Sequence, residues 1–179
     1  MSTKQTGRVA LVGVLSALAL AILLSTYLFP TASIALAGVA ALCGIPVVIE
    51  MGRKAGLLHF AAVALLSAIT ALAAEGTMVY IAFFGWYTVF KAFIEGKNLP
   101  RTIEWGIKIG VFAAAVTAYG AVWVFLLDMP IPKEFALWML PIAAVLLCAV
   151  FIVYDIGLTR VIGTYFSRIQ PKIRGLFRF

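Results

Sequence analysis

The stretch at residues 83–108, FFGWYTVFKAFIEGKNLPRTIEWGIK, decides how this chain folds, because it sets several charges directly against long apolar runs. In its middle, Gly96, Asn98 and Pro100 are residue types that end one helix and permit a turn before the next. The stretch therefore predicts two membrane-spanning helices joined by a short charged turn on the cytoplasmic side.

The charges on either side of this turn have helical spacing. Lys91 and Glu95 are four residues apart, as are Glu104 and Lys108, so each pair can share one face of a helix end. We expect structural ion pairs, Lys91 with Glu95 or Asp155 and Glu104 with Lys108, that hold the cytoplasmic ends of spans four, five and six together. The alternative is that Lys91 serves a transport path, because an ammonium inside a span normally faces protein or water.

The rest of the chain is strongly apolar. Of its 179 residues, 64% are hydrophobic and 12% are charged, whereas a soluble domain usually carries about 25% charged residues. A spanning helix needs roughly 20 apolar residues, and six such runs fill nearly the whole sequence. We therefore expect an all-α polytopic membrane protein, a six-helix transmembrane bundle embedded in a lipid bilayer.

The apolar runs divide the chain into three parts. Residues 1–8 are a cytoplasmic head, residues 9–154 the six-span membrane domain, and residues 155–179 a basic amphipathic cytoplasmic tail, or alternatively a plain basic stop-transfer segment. The spans are expected at about 9–29, 31–49, 55–74, 77–94, 105–127 and 135–154. The first run has an alternative as a cleaved secretory signal, but its 21 residues exceed the roughly 7–15 of a signal core.

Lysine and arginine predict the orientation. If the amino terminus is cytoplasmic, 13 of the 14 lysines and arginines lie in cytoplasmic segments, and Lys133 alone lies outside. Lys and Arg are enriched in cytoplasmic loops of membrane proteins. Both termini are therefore expected to be cytoplasmic, and the basic net charge reflects topology and not nucleic-acid binding.

Residues for catalysis or metal binding are few. The single His59 argues against a multi-histidine metal site, and Cys43 and Cys148 lie inside apolar runs, where a thiol behaves as a small hydrophobe. The sequence contains no Gly-x-Ser-x-Gly, no His-Glu-x-x-His and no phosphate-binding glycine loop. We expect no enzyme activity, no metal and no cofactor.

Small residues recur along the first span. Gly13, Ala17 and Ala21 are spaced by four, with Ser16 beside them. Such a row makes a flat helix surface that lets another helix approach closely. This row is therefore a candidate docking surface for a partner, with packing inside the protein's own bundle as the alternative.

The opening at residues 8–21, RVALVGVLSALALA, together with six short spans and a length near 180 residues, resembles the substrate-binding S components of energy-coupling-factor transporters. In that family the Ala-xxx-Ala ridge of span one packs on the transmembrane coupling subunit, and Ala17 and Ala21 match it, with Gly13 extending the row. Residues 86–91, 103–108 and 154–160 are also similar to uncharacterised six-span bacterial membrane proteins, which implies no activity.

The resemblance implies a bacterial cytoplasmic (plasma) membrane, a coupling membrane subunit and ATPase subunits as partners, and a small molecule of unknown identity entering from outside. The candidate lining is the outer halves of spans three to six and the first outer turn, and the candidate ligand-binding residues are the polar and aromatic side chains found there. They are Ser67, Thr70, Glu75, Tyr80, Tyr119, Trp123, Asp128 and Trp138. Aromatic faces with one or two carboxylates suit a flat or cationic molecule. The alternative is that the tryptophans are interfacial belt residues and the acids are loop charges.

The function expected from the sequence is the capture of a small, vitamin-like molecule for a multisubunit membrane importer. The alternative is a non-transporting accessory or assembly protein that acts through helix–helix contacts. The two differ in structure, because a capture subunit needs polar side chains convergent on an outer cavity, whereas an assembly protein needs only a filled interior.

Overall fold

The computed structural model describes residues 3–71, 74–97, 99–126 and 139–171, with side chains from residue 7 onward. In these ranges nearly every residue is helical, and no strand is present. The predicted all-α class is confirmed.

The described part of the chain contains eight α-helices joined by short 3₁₀ and π turns. They are α1 (Thr3–Leu24), α2 (Ser33–Leu42), α3 (Gly44–Met51), α4 (Arg53–Ala71), α5 (Glu75–Val79), α6 (Gly85–Glu95), α7 (Arg101–Ala121) and α8 (Met139–Thr164). A π turn at Tyr80–Phe84 joins α5 to α6, and two others extend α7 (Val122–Leu126) and α8 (Tyr165–Ile169).

These elements form six segments that are long and apolar enough to span a membrane, as predicted. Their bounds are Gly7–Tyr27, Pro30–Met51, Arg53–Ala71, Glu75–Glu95, Arg101–Phe125 and Met139–Ile169. Large apolar side chains such as Leu58, Ile69 and Val153 lie on the outer surface of the bundle. That surface suits contact with lipid, and the chain is a multi-pass membrane protein.

The sixth segment differs most from its predicted bounds. Hydropathy placed its end at residue 154 and began a separate tail at Asp155, but the helix runs without a break from Met139 through Asp155 to Ile169. Asp155 is buried inside the bundle. The charge that marks the boundary in the sequence is therefore an internal contact in the structure.

The antiparallel spans give the bundle two chemically different ends. One end, called here the basic end, holds the start of α1 and the turns between α3 and α4 and between α6 and α7. Every described Lys and Arg side chain lies toward it: Arg8, Arg53, Lys54, Lys91, Lys97, Arg101, Lys108, Arg160 and Arg168. The other end, called here the opposite end, holds the turns after α1 and α4. The expectation that the basic end is cytoplasmic rests on this distribution of Lys and Arg and stays a prediction.

The second span is interrupted near Pro46. Helix α2 ends at Leu42 and α3 begins at Gly44. Pro46 has no backbone N–H to bond the carbonyl of Leu42, four residues earlier, so the helix is broken at this point. At the far end of α3, Gly52 has φ of 85°, a conformation that favours glycine, and it turns the chain directly into α4.

Two cores fill the bundle. Small residues dominate the first, where α1, α2 and α4 pack closely around Tyr80. Aromatic residues dominate the second, where Phe83 and Tyr87 meet Phe112 and Phe151 from α7 and α8. The rings of Phe112 and Phe151 are stacked with centroids 4.6 Å apart. Cys43 and Cys148 are free thiols.

One close backbone approach joins α2 to α5. A Cβ atom at Gly76 would lie 2.7 Å from the carbonyl oxygen of Ser33 and 2.8 Å from the Thr26 methyl carbon. Backbone cannot move aside as a flexible side chain can. Gly76 is therefore required for the two helices to pack at this distance.

We expect Gly76→Ala to destabilise the bundle by about 1–3 kcal/mol, the usual cost of overpacking. The measurement is thermal unfolding of the purified protein in detergent. Gly110→Ala is the matched control, because no atom lies within 4 Å of the added Cβ. Equal melting temperatures for the two variants would contradict the close approach.

Candidate functional site

The most distinctive site in the described part of the chain is a cluster of five charged side chains, called here the ion cluster, at the basic end. It contains Lys91 and Glu95 on α6, Glu104 and Lys108 on α7, and Asp155 on α8. Both ion pairs predicted from sequence spacing are present. The sequence did not predict that all five side chains form one network.

Lys108 is the hub of this network on α7. Its Nζ lies 2.7 Å from Glu104 Oε1, 2.8 Å from Glu95 Oε1 and 3.3 Å from Asp155 Oδ2. An ammonium has three N–H donors, and three carboxylates accept from it here. Lys108 therefore links α6, α7 and α8 through a single atom.

Asp155 accepts hydrogen bonds at both carboxylate oxygens. Its Oδ1 accepts from Lys91 Nζ at 2.7 Å and from the Tyr87 hydroxyl at 2.7 Å, while its Oδ2 faces Lys108. Lys91 Nζ is also 2.6 Å from Glu95 Oε1. The side chains of Lys91, Lys108 and Asp155 are at most 3% exposed. Such burial of charge is tolerated because every charged group has a partner of opposite sign.

The first four charges could be found from the sequence because helical spacing reveals an i, i+4 pair. Asp155 and Tyr87 could be paired only by the fold, since 68 residues separate them. The sequence contained one sign that Tyr87 could join the ion cluster: Tyr87 and Lys91 lie four residues apart, on the same face of the helix.

At the opposite end, Glu75 lies beside a cavity of about 260 Å³ that is lined also by Thr26, Tyr27, Ser33 and Ala74. The Ser33 hydroxyl donates a hydrogen bond to Glu75 Oε2 at 3.3 Å. Ser33 and Tyr27 were not among the predicted ligand residues, although they flank the first outer turn, which was part of the predicted lining. Only the fold brings that turn to Glu75.

The other predicted ligand residues do not join Glu75 at this cavity. Ser67 is buried and donates to the carbonyl of Ala64, while Thr70 is exposed and donates to the carbonyl of Leu66. Tyr80 is buried in the small-residue core. These three positions therefore serve helix structure and packing.

Tyr119 and Trp123 lie together near the end of α7, with ring centroids 6.0 Å apart. The hydroxyl groups of Tyr119 and of Thr77, which follows Glu75 in the chain, are buried and have no hydrogen-bond partner in the part of the chain that the structure describes. Unpaired buried hydroxyls are uncommon and are normally bonded by water or a ligand. The two remaining candidates, Asp128 and Trp138, lie outside the described residues.

The small-residue row of span one lies on the outside of the bundle. Gly13, Ala17 and Ala21 are all exposed, and a Cβ at Gly13 would meet no atom within 4 Å. The interior face of the same helix carries Ala19 and Leu23, both fully buried. The alternative of packing inside the bundle is therefore wrong, and the row stays available to another helix.

A hydrogen bond fixes that interior face against α4. The Ser16 hydroxyl lies 2.8 Å from His59 Nδ1. His59 is 2% exposed. Ser16 therefore makes a contact inside the bundle and is not part of the outward row of small residues. Among the described residues, no group of three or more His, Cys, Asp and Glu side chains is arranged to hold a metal ion.

We expect Lys91→Met to destabilise the protein by on the order of 3 kcal/mol, because it leaves buried Asp155 with a single ammonium, Lys108 at 3.3 Å. The double variant Lys91→Met/Asp155→Leu removes the opposite charges together and should recover most of the loss. Thermal unfolding in detergent measures both.

The control for this pair is Lys54→Met, which removes an exposed lysine at the same end of the bundle. Its melting temperature should match that of the parent protein. A double variant no more stable than Lys91→Met alone would show that the contact between Lys91 and Asp155 does not carry the effect.

Comparison with known proteins adds no identification to this geometry. No protein-family model, no curated protein and no solved structure matches the chain. Its function has to be argued from the bundle, the ion cluster and the cavity at the opposite end.

Proposed function

We propose that this protein is the small-molecule capture subunit of a multisubunit membrane importer, with its ligand bound at the opposite end of the bundle and a partner membrane subunit docked on span one. The observation that carries the proposal is the cavity beside Glu75, where polar groups from two separate turns converge. Such convergence on one cavity is what distinguishes a capture site from a filled scaffold.

The chemistry of this cavity favours a small cationic molecule or one rich in hydrogen-bond donors. Glu75 supplies a carboxylate that accepts a hydrogen bond from the Ser33 hydroxyl, and Tyr27 supplies a half-exposed aromatic ring. A cation is attracted both by the carboxylate and by the face of an aromatic ring. The unpaired hydroxyls of Thr77 and Tyr119 add hydrogen-bonding capacity in the same half of the bundle.

The outward row of Gly13, Ala17 and Ala21 supports docking of a partner helix. In lipid, helices associate through close packing, and small residues permit it. The resemblance of residues 8–21 to the S components of energy-coupling-factor transporters assigns this face to the coupling subunit. In the proposed cycle, ATPase subunits supply the energy and the bundle presents the ligand, in a bacterial cytoplasmic membrane.

The alternative is a non-transporting assembly protein, and one observation favours it. The middle of the bundle is filled by the aromatic core around Phe83 and by the ion cluster beneath it. A filled interior with an outward small-residue face would also serve a protein that only organises a complex. Ligand binding separates this alternative from the capture subunit.

We expect primary alkylamines that carry an aromatic ring, which are cationic at neutral pH, to raise the melting temperature of the purified protein. Glu75→Gln or Ser33→Ala should abolish the shift, because the amine loses the carboxylate or the hydroxyl that orients it. A thermal-shift screen of a library of such amines in detergent measures this. The matched control is Thr70→Val, since Thr70 is bonded to its own helix. No shift from any amine, or equal shifts in Glu75→Gln and the parent protein, would contradict the assigned ligand site.

The docking face is tested by affinity purification from native membranes in mild detergent, followed by mass spectrometry of the co-purifying chains. We expect ATPase subunits and a membrane coupling protein to be recovered with the parent protein and lost with Ala17→Leu/Ala21→Leu, because two added isobutyl groups prevent close helix approach. Ala114→Leu/Ala118→Leu is the control, with the same spacing on the exposed face of α7. Recovery of a complex without any ATPase would favour the assembly protein.

A further inference from the structure

A second cavity, of about 380 Å³, opens at the basic end between α7 and α8. Six of its lining residues are charged. They are Glu95, Arg101, Glu104, Lys108, Asp155 and Arg160. The ion cluster forms one wall of this cavity, and the two arginines lie on its exposed side.

The charges of this cavity are not equally engaged. Glu95, Glu104 and Asp155 are each held by a lysine of the ion cluster. Arg101 and Arg160, in contrast, have no ion-pair partner in the described part of the chain. Because the ion cluster sets three carboxylates against two ammonium groups, the two guanidinium groups leave this region with a formal charge of +1. Guanidinium groups bind phosphate oxygens well because their donors are planar and paired.

An apolar groove of about 350 Å³ adjoins this cavity and shares Arg160 with it. Its other walls come from Leu42, Ile45 and Pro46 on the second span and from Val161 and Ile169 after Arg160. Arg160 thus stands between a charged cavity and a hydrocarbon-lined groove. A molecule that fills both must have an anionic head and an apolar chain.

The position along α8 places this pair of cavities at the membrane surface. The sixth segment has 31 residues, so at 1.5 Å per residue it is about 46 Å long, whereas the hydrocarbon core is about 30 Å thick. Near its end, Tyr165 and Gln170 hydrogen-bond to Glu50, close to the end of α3. The last turns after Arg160 therefore lie beside the basic end of the second span. Val161 and Ile169 are partly exposed there, which leaves the groove open to lipid.

We propose that the basic end binds one anionic phospholipid, with its phosphate between Arg101 and Arg160 and an acyl chain in the groove beside Pro46. Basic pockets between spanning helices on the cytoplasmic side are where anionic headgroups bind. The occupant is a lipid of the bilayer and not a soluble phosphate compound, because the groove supplies apolar contact that a soluble anion would leave empty. The proposal does not depend on the ligand cavity at the opposite end.

The test is native mass spectrometry of the full chain in detergent, titrated with phosphatidylglycerol or with phosphatidylcholine of the same acyl chains. We expect one phosphatidylglycerol to be retained in preference to phosphatidylcholine. Arg101→Gln/Arg160→Gln should weaken retention of phosphatidylglycerol by about 25-fold, from about fivefold for each arginine near the membrane surface. Equal retention of the two lipids by the parent protein would overturn the proposal.

The matched control is Lys54→Gln/Arg168→Gln, which removes the same charge from exposed positions at the same end that do not line either cavity. It should retain phosphatidylglycerol as the parent protein does. A loss equal to that of the arginine variant would mean that only the general charge of the basic end attracts the lipid, which overturns the site. Arg101→Lys/Arg160→Lys keeps the charge and should restore most of the retention, which separates binding from misfolding.

One further variant tests whether the groove holds an acyl chain, and one competitor tests whether the phosphate belongs to a lipid. Val161→Trp fills the groove without changing the charge and should reduce retention of phosphatidylglycerol. Glycerol 3-phosphate, which carries the phosphate without acyl chains, should not displace the lipid. Displacement by glycerol 3-phosphate at the concentration of the lipid, or normal retention by Val161→Trp, would overturn the assignment to a bilayer lipid.

Discussion

The contact on which the bundle most depends is the one between Asp155 and two lysines from neighbouring helices. A carboxylate inside a membrane span is costly unless donors surround it, and here Lys91, Lys108 and Tyr87 supply them. Because each donor sits on a different turn of α6 or α7, satisfying Asp155 sets the axial positions of three helices at once. The aromatic core lies above the ion cluster and packs between the same helices.

The ion cluster and the region around Glu75 differ in how completely their polar groups are satisfied. At the basic end every member of the ion cluster has a partner, so this end is suited to holding helices together. At the opposite end Glu75 borders a cavity, and the hydroxyls of Thr77 and Tyr119 have no partner among the described residues. Unsatisfied polar groups are where water or a ligand gains most by binding. The proposed capture function follows from this asymmetry.

The length of the sixth segment links the membrane to the basic end. Its charges inside the hydrocarbon layer are neutralised by the ion cluster, whereas Arg160 and Arg168 lie in the turns that extend beyond Asp155. An amphipathic extension of this kind lies where anionic headgroups and acyl chains are both within reach. The same helix therefore anchors the bundle internally through a carboxylate and carries exposed arginines beyond it.

The sequence by itself determined the helical class, the six spans, the break at Pro46 and the pairs Lys91–Glu95 and Glu104–Lys108, because hydropathy and helical spacing are local properties. Only the tertiary structure decided that Asp155 lies inside the bundle, that Ser33 reaches Glu75, and that Thr70 and Tyr80 serve structure. The contacts of Asp155 and of Ser33 join residues far apart in the chain, and residue type alone does not say which side chains meet. The row of Gly13, Ala17 and Ala21 was visible in the sequence. That it faces outward was decided by which side of α1 packs against α2 and α4.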